Sequence, residues 1–245
     1  MTDALALVRP VAARWALDAR AAAGLAALLD LLATDPAAPT TVRDPADAVQ
    51  AHVADSLVAL ELTPVATARR IADLGSGPGF PGLALALALP EARVALVESA
   101  ARRCAFLARA VEAAGAGNAE VVHARAEAWP DGLGAHDLVT ARALAALPVV
   151  VEYAAPLLEP DGTLVAWRGR RDAGAEAAAE RAAAEVGLEP VEVRRVEPYA
   201  GARDRHLHVF RKSGPTPARF PRRAGIARKR PLGGKPQRAA NDAGS

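Results

Sequence analysis

The chain has 245 residues, 51% apolar but only 4% aromatic, with 30 basic and 28 acidic side chains for a net charge of +2. That length suits one α/β unit with a full core built from Ala, Leu and Val. Cys104 is the one cysteine, which excludes an intrachain disulfide, and no Cys/His cluster has the spacing of a zinc site. The N-terminal apolar stretch is interrupted by Arg9, Pro10 and Arg14. It reads as neither a signal peptide nor a membrane span, so no membrane contact and a cytoplasmic compartment are expected.

Leu, Val, Ala and Trp15 recur at helical spacing and predict one helix over residues 3–33. The run Thr34-Asp35-Pro36-Ala37-Ala38-Pro39 breaks it, and a second helix is expected from about Pro45 to Leu60. Strands and helices then alternate. Strands are predicted at 71–74, 93–97, 120–123, 137–140 and 163–167, and helices at 80–89, 101–114, 147–158 and 175–186. Two closing strands, 191–196 and 206–211, read as an antiparallel pair at one edge. The fold class is therefore α/β, a doubly wound, mostly parallel sheet with an N-terminal helical extension over 1–62, a central domain over 63–212 and a basic tail over 213–245. Ligands of such sheets bind beyond the carboxyl ends of the strands.

Residues 73–82, Asp73-Leu74-Gly75-Ser76-Gly77-Pro78-Gly79-Phe80-Pro81-Gly82, fall between the first strand and its helix. Glycines at spacing two permit positive φ and remove the β-carbons that would hold a nucleoside off the backbone. A dinucleotide fingerprint requires G-x-G-x-x-G, and Phe80 stands where its third glycine belongs. Asp73 and Gly77 join the candidate site on geometric grounds, as does Glu98, whose carboxylate at the end of the second strand suits a ribose diol. After the third strand, Ala126 and Glu127 are placed to read an adenine edge. Arg142, after the fourth, suits a ligand carboxylate or an RNA phosphate.

The Asp-x-Gly-x-Gly-x-Gly run looks like the first motif of S-adenosylmethionine-dependent methyltransferases, and its Phe-Pro-Gly extension narrows the match. The chain resembles the RsmG (GidB) family of 16S ribosomal RNA guanine-N7 methyltransferases. The likeness is carried by Asp73 through Gly82, Glu98-Ser99, Arg102-Arg103…Phe106-Leu107, Ala126-Glu127, Arg142-Ala143, His52…Asp55-Ser56-Leu57 and the C-terminal Pro221-Arg222-Arg223…Gly225…Lys229-Arg230-Pro231-Leu232. It covers roughly residues 35–232. One departure is Ala38-Pro39-Thr40-Thr41, where the family usually carries Asn-Leu-Thr-Ala. The resemblance implies a Rossmann-like class I methyltransferase fold, S-adenosylmethionine as cofactor, and Gly75, Phe80, Ala126, Glu127 and Arg142 as cofactor residues. It also implies 16S ribosomal RNA, or the small ribosomal subunit, as partner. A monomer is expected.

Charge is divided unequally. Residues 1–210 carry 20 basic and 27 acidic side chains, whereas residues 211–245 carry ten basic and one acidic. A basic arm on an acidic body suits a polyanion, so Arg222, Arg223, Arg228, Lys229 and Arg230, with Arg142, are candidate RNA contacts. Guanine N7 has a free lone pair and no proton, so methylation there requires no general base, and no catalytic residue or metal ligand is assigned. Two other readings stay open: an NAD(P)-dependent oxidoreductase on a similar sheet, and a non-catalytic RNA-binding protein with a vestigial cleft.

Overall fold

The computed structural model describes residues 3–234. Seven strands form one sheet: β1 (Arg70–Leu74), β2 (Arg93–Glu98), β3 (Ala119–His123), β4 (His136–Arg142), β5 (Leu158–Arg168), β6 (Leu188–Arg195) and β7 (His206–Lys212), in the order β3-β2-β1-β4-β5-β7-β6. The first five pair in parallel, and β7 pairs antiparallel with both β5 and β6. The strand order reverses at β1, between β2 and β4. In sheets of this kind that reversal opens a crevice at the carboxyl ends of the strands.

Helices cover both faces. Gly82–Ala88 and Ala101–Ala114 lie on one, with Leu83, Leu96, Phe106 and Leu107 in their shared core. Leu147–Ala154 and Ala173–Val186 lie on the other, with Leu74, Val139, Val151 and Ala183. The N-terminal helices belong to the first core, since Val8, Leu25, Leu28 and Leu32 are buried in the same cluster.

The predicted single helix over 3–33 is two helices, Ala4–Arg14 and Ala19–Thr34. Ala16 adopts φ 51°, and the Asp18 side chain caps the Ala21 N–H, so a left-handed residue and a fresh N-cap override the apolar periodicity. The helical run from Pro45 to Glu61 agrees with expectation, but its middle, Val49–Ala54, is π-helical. Such stretches concentrate at functional sites.

The basic C-terminal segment is folded onto the body through residue 234. Phe220 and Ala227 are buried, and Arg222 pairs with Glu152, which is only 2% exposed. Arg181 donates to the Gly233 carbonyl at 2.6 Å. The remainder of the expected tail, including Lys235 and Arg238, lies outside the described residues. Among the described residues no helix is long and apolar enough to cross a membrane.

Candidate active site

At the carboxyl end of β1 the glycine turn lies flat against its neighbours. Gly75 N–H donates to the Val97 carbonyl at 2.8 Å, and Gly79 N–H to the Ser76 carbonyl at 2.7 Å. Gly75 and Gly77 adopt φ 70° and 53°, a region L side chains rarely enter. A β-carbon on Gly77 would meet nothing nearer than the Gly75 carbonyl oxygen at 3.7 Å, so the space above this residue is open. A groove of about 680 Å³ runs over the turn, lined by Gly75, Gly77, Phe80, His52, Arg103 and Arg142 together with the Pro39–Val42 loop. A smaller cavity continues it past Gly75 toward Ala126, Glu127, Leu144 and Tyr153. Together they cross the ends of β1 to β4.

The structure divides the predicted cofactor residues into two sets. Gly75, Gly77, Phe80, Ala126, Glu127 and Arg142 line the groove or its extension. Asp73 and Glu98 stand behind the surface as braces. Asp73 is 1% exposed; one carboxylate oxygen accepts from Thr140 Oγ1 at 2.8 Å and the other from Gly82 N–H at 3.2 Å. Burial pushes its carboxyl above the usual range, against those hydrogen bonds. Asp73 thus sits beneath the groove, where it ties β1 to β4 and to the next helix. Glu98 accepts from Gly77 N–H at 3.3 Å and Ala100 N–H at 2.9 Å, with Arg103 at 3.6 Å. Its carboxylate shapes the turn, and a carboxylate has acceptor capacity beyond two such bonds.

Glu127 Oε1 accepts from Gly225 N–H at 3.0 Å. The C-terminal segment therefore forms part of this wall, and Arg228 lines the same small cavity while donating to the Leu144 carbonyl at 2.9 Å. Ala126 opens a 3₁₀ turn, whose first N–H groups have no partner within the turn itself.

Arg142 is fastened to the π-helical run. Its Nη1 donates to the Ala51 carbonyl at 3.0 Å and to Asp55 Oδ2 at 2.9 Å, and its Nη2 lies 3.3 Å from His52 Nδ1. The His52 ring stacks on Phe80 at 4.9 Å, with the Arg142 guanidinium 5.8 Å from the Phe80 centroid. Burial, aided by Arg142, pushes His52 down to about 4, so it is neutral near pH 7. Composition hid this contribution of His52 and Asp55. The signal available was two polar residues on the core-facing side of an otherwise apolar helical run.

The candidate RNA residues are also separated. Arg222 is engaged by Glu152, its Nε 2.6 Å from Oε1, and is not a free cation. Arg223, Arg228, Lys229 and Arg230 are exposed. For Cys104, burial and then Glu98 push the thiol up, opposite to what a nucleophile requires.

Residues 29–207 match the family model described as GidB, rRNA small subunit methyltransferase G. The chain is 40% identical over 198 residues to ribosomal RNA small subunit methyltransferase G of Rubrobacter xylanophilus, covering 78% of this chain and 76% of that one. It is 39% identical to the protein of the same name from Chloroflexus aggregans, covering 79% and 82%. Among solved structures it is similar to the mitomycin 7-O-methyltransferase MmcR, with TM-score 0.56 and 18% identity over 76% of this chain and 60% of that one. A 16S rRNA (adenine(1408)-N(1))-methyltransferase from Catenulisporales acidiphilia gives TM-score 0.50 at 20% identity, over 61% and 88%. At such identities these two structures establish the fold alone.

Proposed function

The chain belongs to the rRNA small subunit methyltransferase G family, and on that premise we propose that it methylates N7 of a guanine in 16S ribosomal RNA, with S-adenosylmethionine as donor. The observation that carries the reading is the groove at the β1/β4 reversal, where Gly77 leaves open space above a positive-φ turn. When bound, S-adenosylmethionine supplies an electrophilic methyl group on a sulfonium. Gly75 and Gly77 admit it to the backbone, and Glu98 holds the turn while offering remaining lone pairs to a ribose. Ala126 and Glu127 border the adenine end.

Guanine N7 needs no deprotonation, and the site has the character that absence allows. His52 is neutral, stacked and hydrogen-bonded, and serves as a wall. Catalysis is then alignment of the lone pair with the transferred methyl and exclusion of water, an effect worth ~7–11 kcal/mol in favourable cases. Exposed Arg223, Lys229 and Arg230 beside the groove suit RNA phosphates. A ribosomal substrate is met in the cytoplasm.

The test is transfer of labelled methyl to small-subunit RNA, or to small subunits lacking the modification, followed by identification of the methylated base. Product at guanine N7 supports the reading. Tight NAD(P) binding without S-adenosylmethionine binding would overturn it, as would RNA binding without methyl transfer.

A further inference from the structure

A second cavity, of about 340 Å³, opens beside the cofactor groove and shares Arg142 and Ala143 with it. Asp55, Trp167, Arg168, Arg205 and His206 line it. Ala143, in the shared wall, holds φ 54°, a strained conformation of the kind that gathers at functional sites. The volume falls in the range of about 300–1,000 Å³ typical of small-molecule sites.

Asp55 is the informative residue. It is 6% exposed, and its main-chain carbonyl accepts from Trp167 Nε1 at 2.7 Å, which fixes the end of the π-helical run against β5. Its Oδ2 accepts from Arg142. Its Oδ1 has no hydrogen-bond partner, the one such buried side-chain atom among the described residues. Arg205 Nε lies 3.4 Å away, within ion-pair reach but not aligned to donate. A buried oxygen without a donor is costly to the folded state. Asp55 borders a cavity contiguous with the methyl-donor groove, and the half-exposed Arg205 side chain shields its Oδ1.

Guanine alone among the RNA bases presents an N–H and an amino group side by side, at N1 and N2, and a carboxylate accepts from both. Adenine and cytosine place a bare acceptor nitrogen at the equivalent position, and uracil flanks its N–H with carbonyls. We propose that this cavity is the guanine pocket and that the Asp55 carboxylate, with the Arg205 guanidinium displaced from Oδ1, selects the base by its N1/N2 edge, leaving N7 on the opposite edge free to accept the methyl group. Reading a displaced base on its Watson–Crick edge is the general solution for enzymes that act on bases. The Arg168 and Arg205 guanidinium groups, beside the largely buried Trp167, supply flat surfaces on which an unstacked base rests. This assignment rests on the guanine-N7 reading above.

The test uses small-subunit RNA assembled by ligation, with guanine, inosine or 6-thioguanine at the nucleotide the wild-type protein methylates. Inosine keeps N1–H but lacks the 2-amino group. Losing a hydrogen bond to a charged acceptor corresponds to roughly a ten- to hundredfold preference for guanine in kcat/KM. In Asp55→Asn that preference should shrink to within about threefold; because it is a ratio of two RNAs on one protein at saturating S-adenosylmethionine, any change in donor affinity passed through Arg142 cancels. Ultraviolet cross-linking of 6-thioguanine RNA to the wild-type protein gives a readout that needs no variant: adducts should fall on peptides containing the cavity's lining residues. Equal use of guanine and inosine by the wild type, full discrimination by a folded Asp55→Asn, or adducts confined to other surfaces would each overturn the pocket. Absence of methyl transfer to the guanine RNA would instead sink the methyltransferase reading itself, and the pocket with it.

Discussion

Replacing Glu98 removes a brace and, on the proposed reading, a ribose contact as well, and two measurements separate the effects. The carboxylate accepts from Gly77 N–H at 3.3 Å and Ala100 N–H at 2.9 Å, and the side chain is 3% exposed. Glu98→Ala leaves one buried and one half-buried donor unpaired, at most about 1–3 kcal/mol each and so up to roughly 2–6 kcal/mol in all. At about 2–4 °C per kcal/mol for a chain of this size, the melting temperature should fall by roughly 4–24 °C. Glu98→Gln keeps one acceptor, so its stability loss should be about half as large. Affinity for S-adenosylmethionine is a separate quantity. Losing a charge-assisted bond to the ribose should weaken it by about 1.5–3 kcal/mol, roughly ten- to a hundredfold, in both variants, provided it is measured below the lowered melting temperature. Thermal melts and titration calorimetry on the three proteins give both numbers. A melting shift below about 2 °C in Glu98→Ala would refute the brace. Unchanged affinity in a folded Glu98→Gln would refute the ribose contact.

Gly77→Val should abolish cofactor binding while leaving a folded protein, because the added side chain projects into open groove and the left-handed φ costs only about 1–2 kcal/mol; retained affinity by calorimetry would count against the glycine cradle. Arg222→Ala strands Glu152 and should destabilise by about 3–5 kcal/mol, with much of that recovered in Arg222→Leu/Glu152→Leu. A melting curve that does not move would show the pair to be idle. His52, at about 4 in the folded state against 6.5 when free, is unprotonated in the fold. The unfolded chain therefore binds more protons between those values, and stability present above pH 6.5 is lost as pH falls toward 4, by roughly 3 kcal/mol for this group. His52→Gln should flatten that slope in denaturant titrations, and an unaltered slope would refute the assignment. Charge reversal at Arg223, Lys229 and Arg230 should weaken RNA binding and flatten the dependence of log K on log salt by about 0.7 per lost contact, with cofactor affinity constant. An unchanged salt slope would move the RNA surface elsewhere.

The sheet and its glycine turn were legible because their signals are local. Apolar runs at 71–74 and 93–97, bounded by turn residues, fix two adjacent strands, and Gly75 and Gly77 mark positions where only glycine sits easily. Which way a carboxylate points is not local. Asp73 and Glu98 look equivalent in sequence, each closing a strand beside the turn, yet one binds Thr140 on a strand 67 residues away and the other binds the turn itself. Arg142 likewise reads as a free cation after a strand. Its partners at Ala51, His52 and Asp55 come from a helix some 90 residues earlier, and no periodicity announces that meeting. The π-helical stretch was invisible for a related reason. A single extra residue per turn leaves the apolar pattern nearly intact while rotating His52 and Asp55 toward the strand ends.

The C-terminal segment shows what charge alone leaves out. Ten basic residues after position 210 look like a separable arm, but its described part packs on the body and borders the smaller cavity through Arg228. Gly225 N–H meets Glu127, Arg228 meets the Leu144 carbonyl, and Arg222 neutralises Glu152 on the helix beneath. Exposed Lys229 and Arg230 follow directly on these contacts. A polyanion held by those side chains would pull on the same backbone that closes the adenine end of the groove. Deleting residues 219–245 is therefore no clean test of RNA contact: it would also strand Glu152 and Glu127. On the proposed reading RNA and cofactor share this element, and any effect of one on the affinity of the other must then be matched in the opposite direction, because a coupling free energy between two sites is reciprocal.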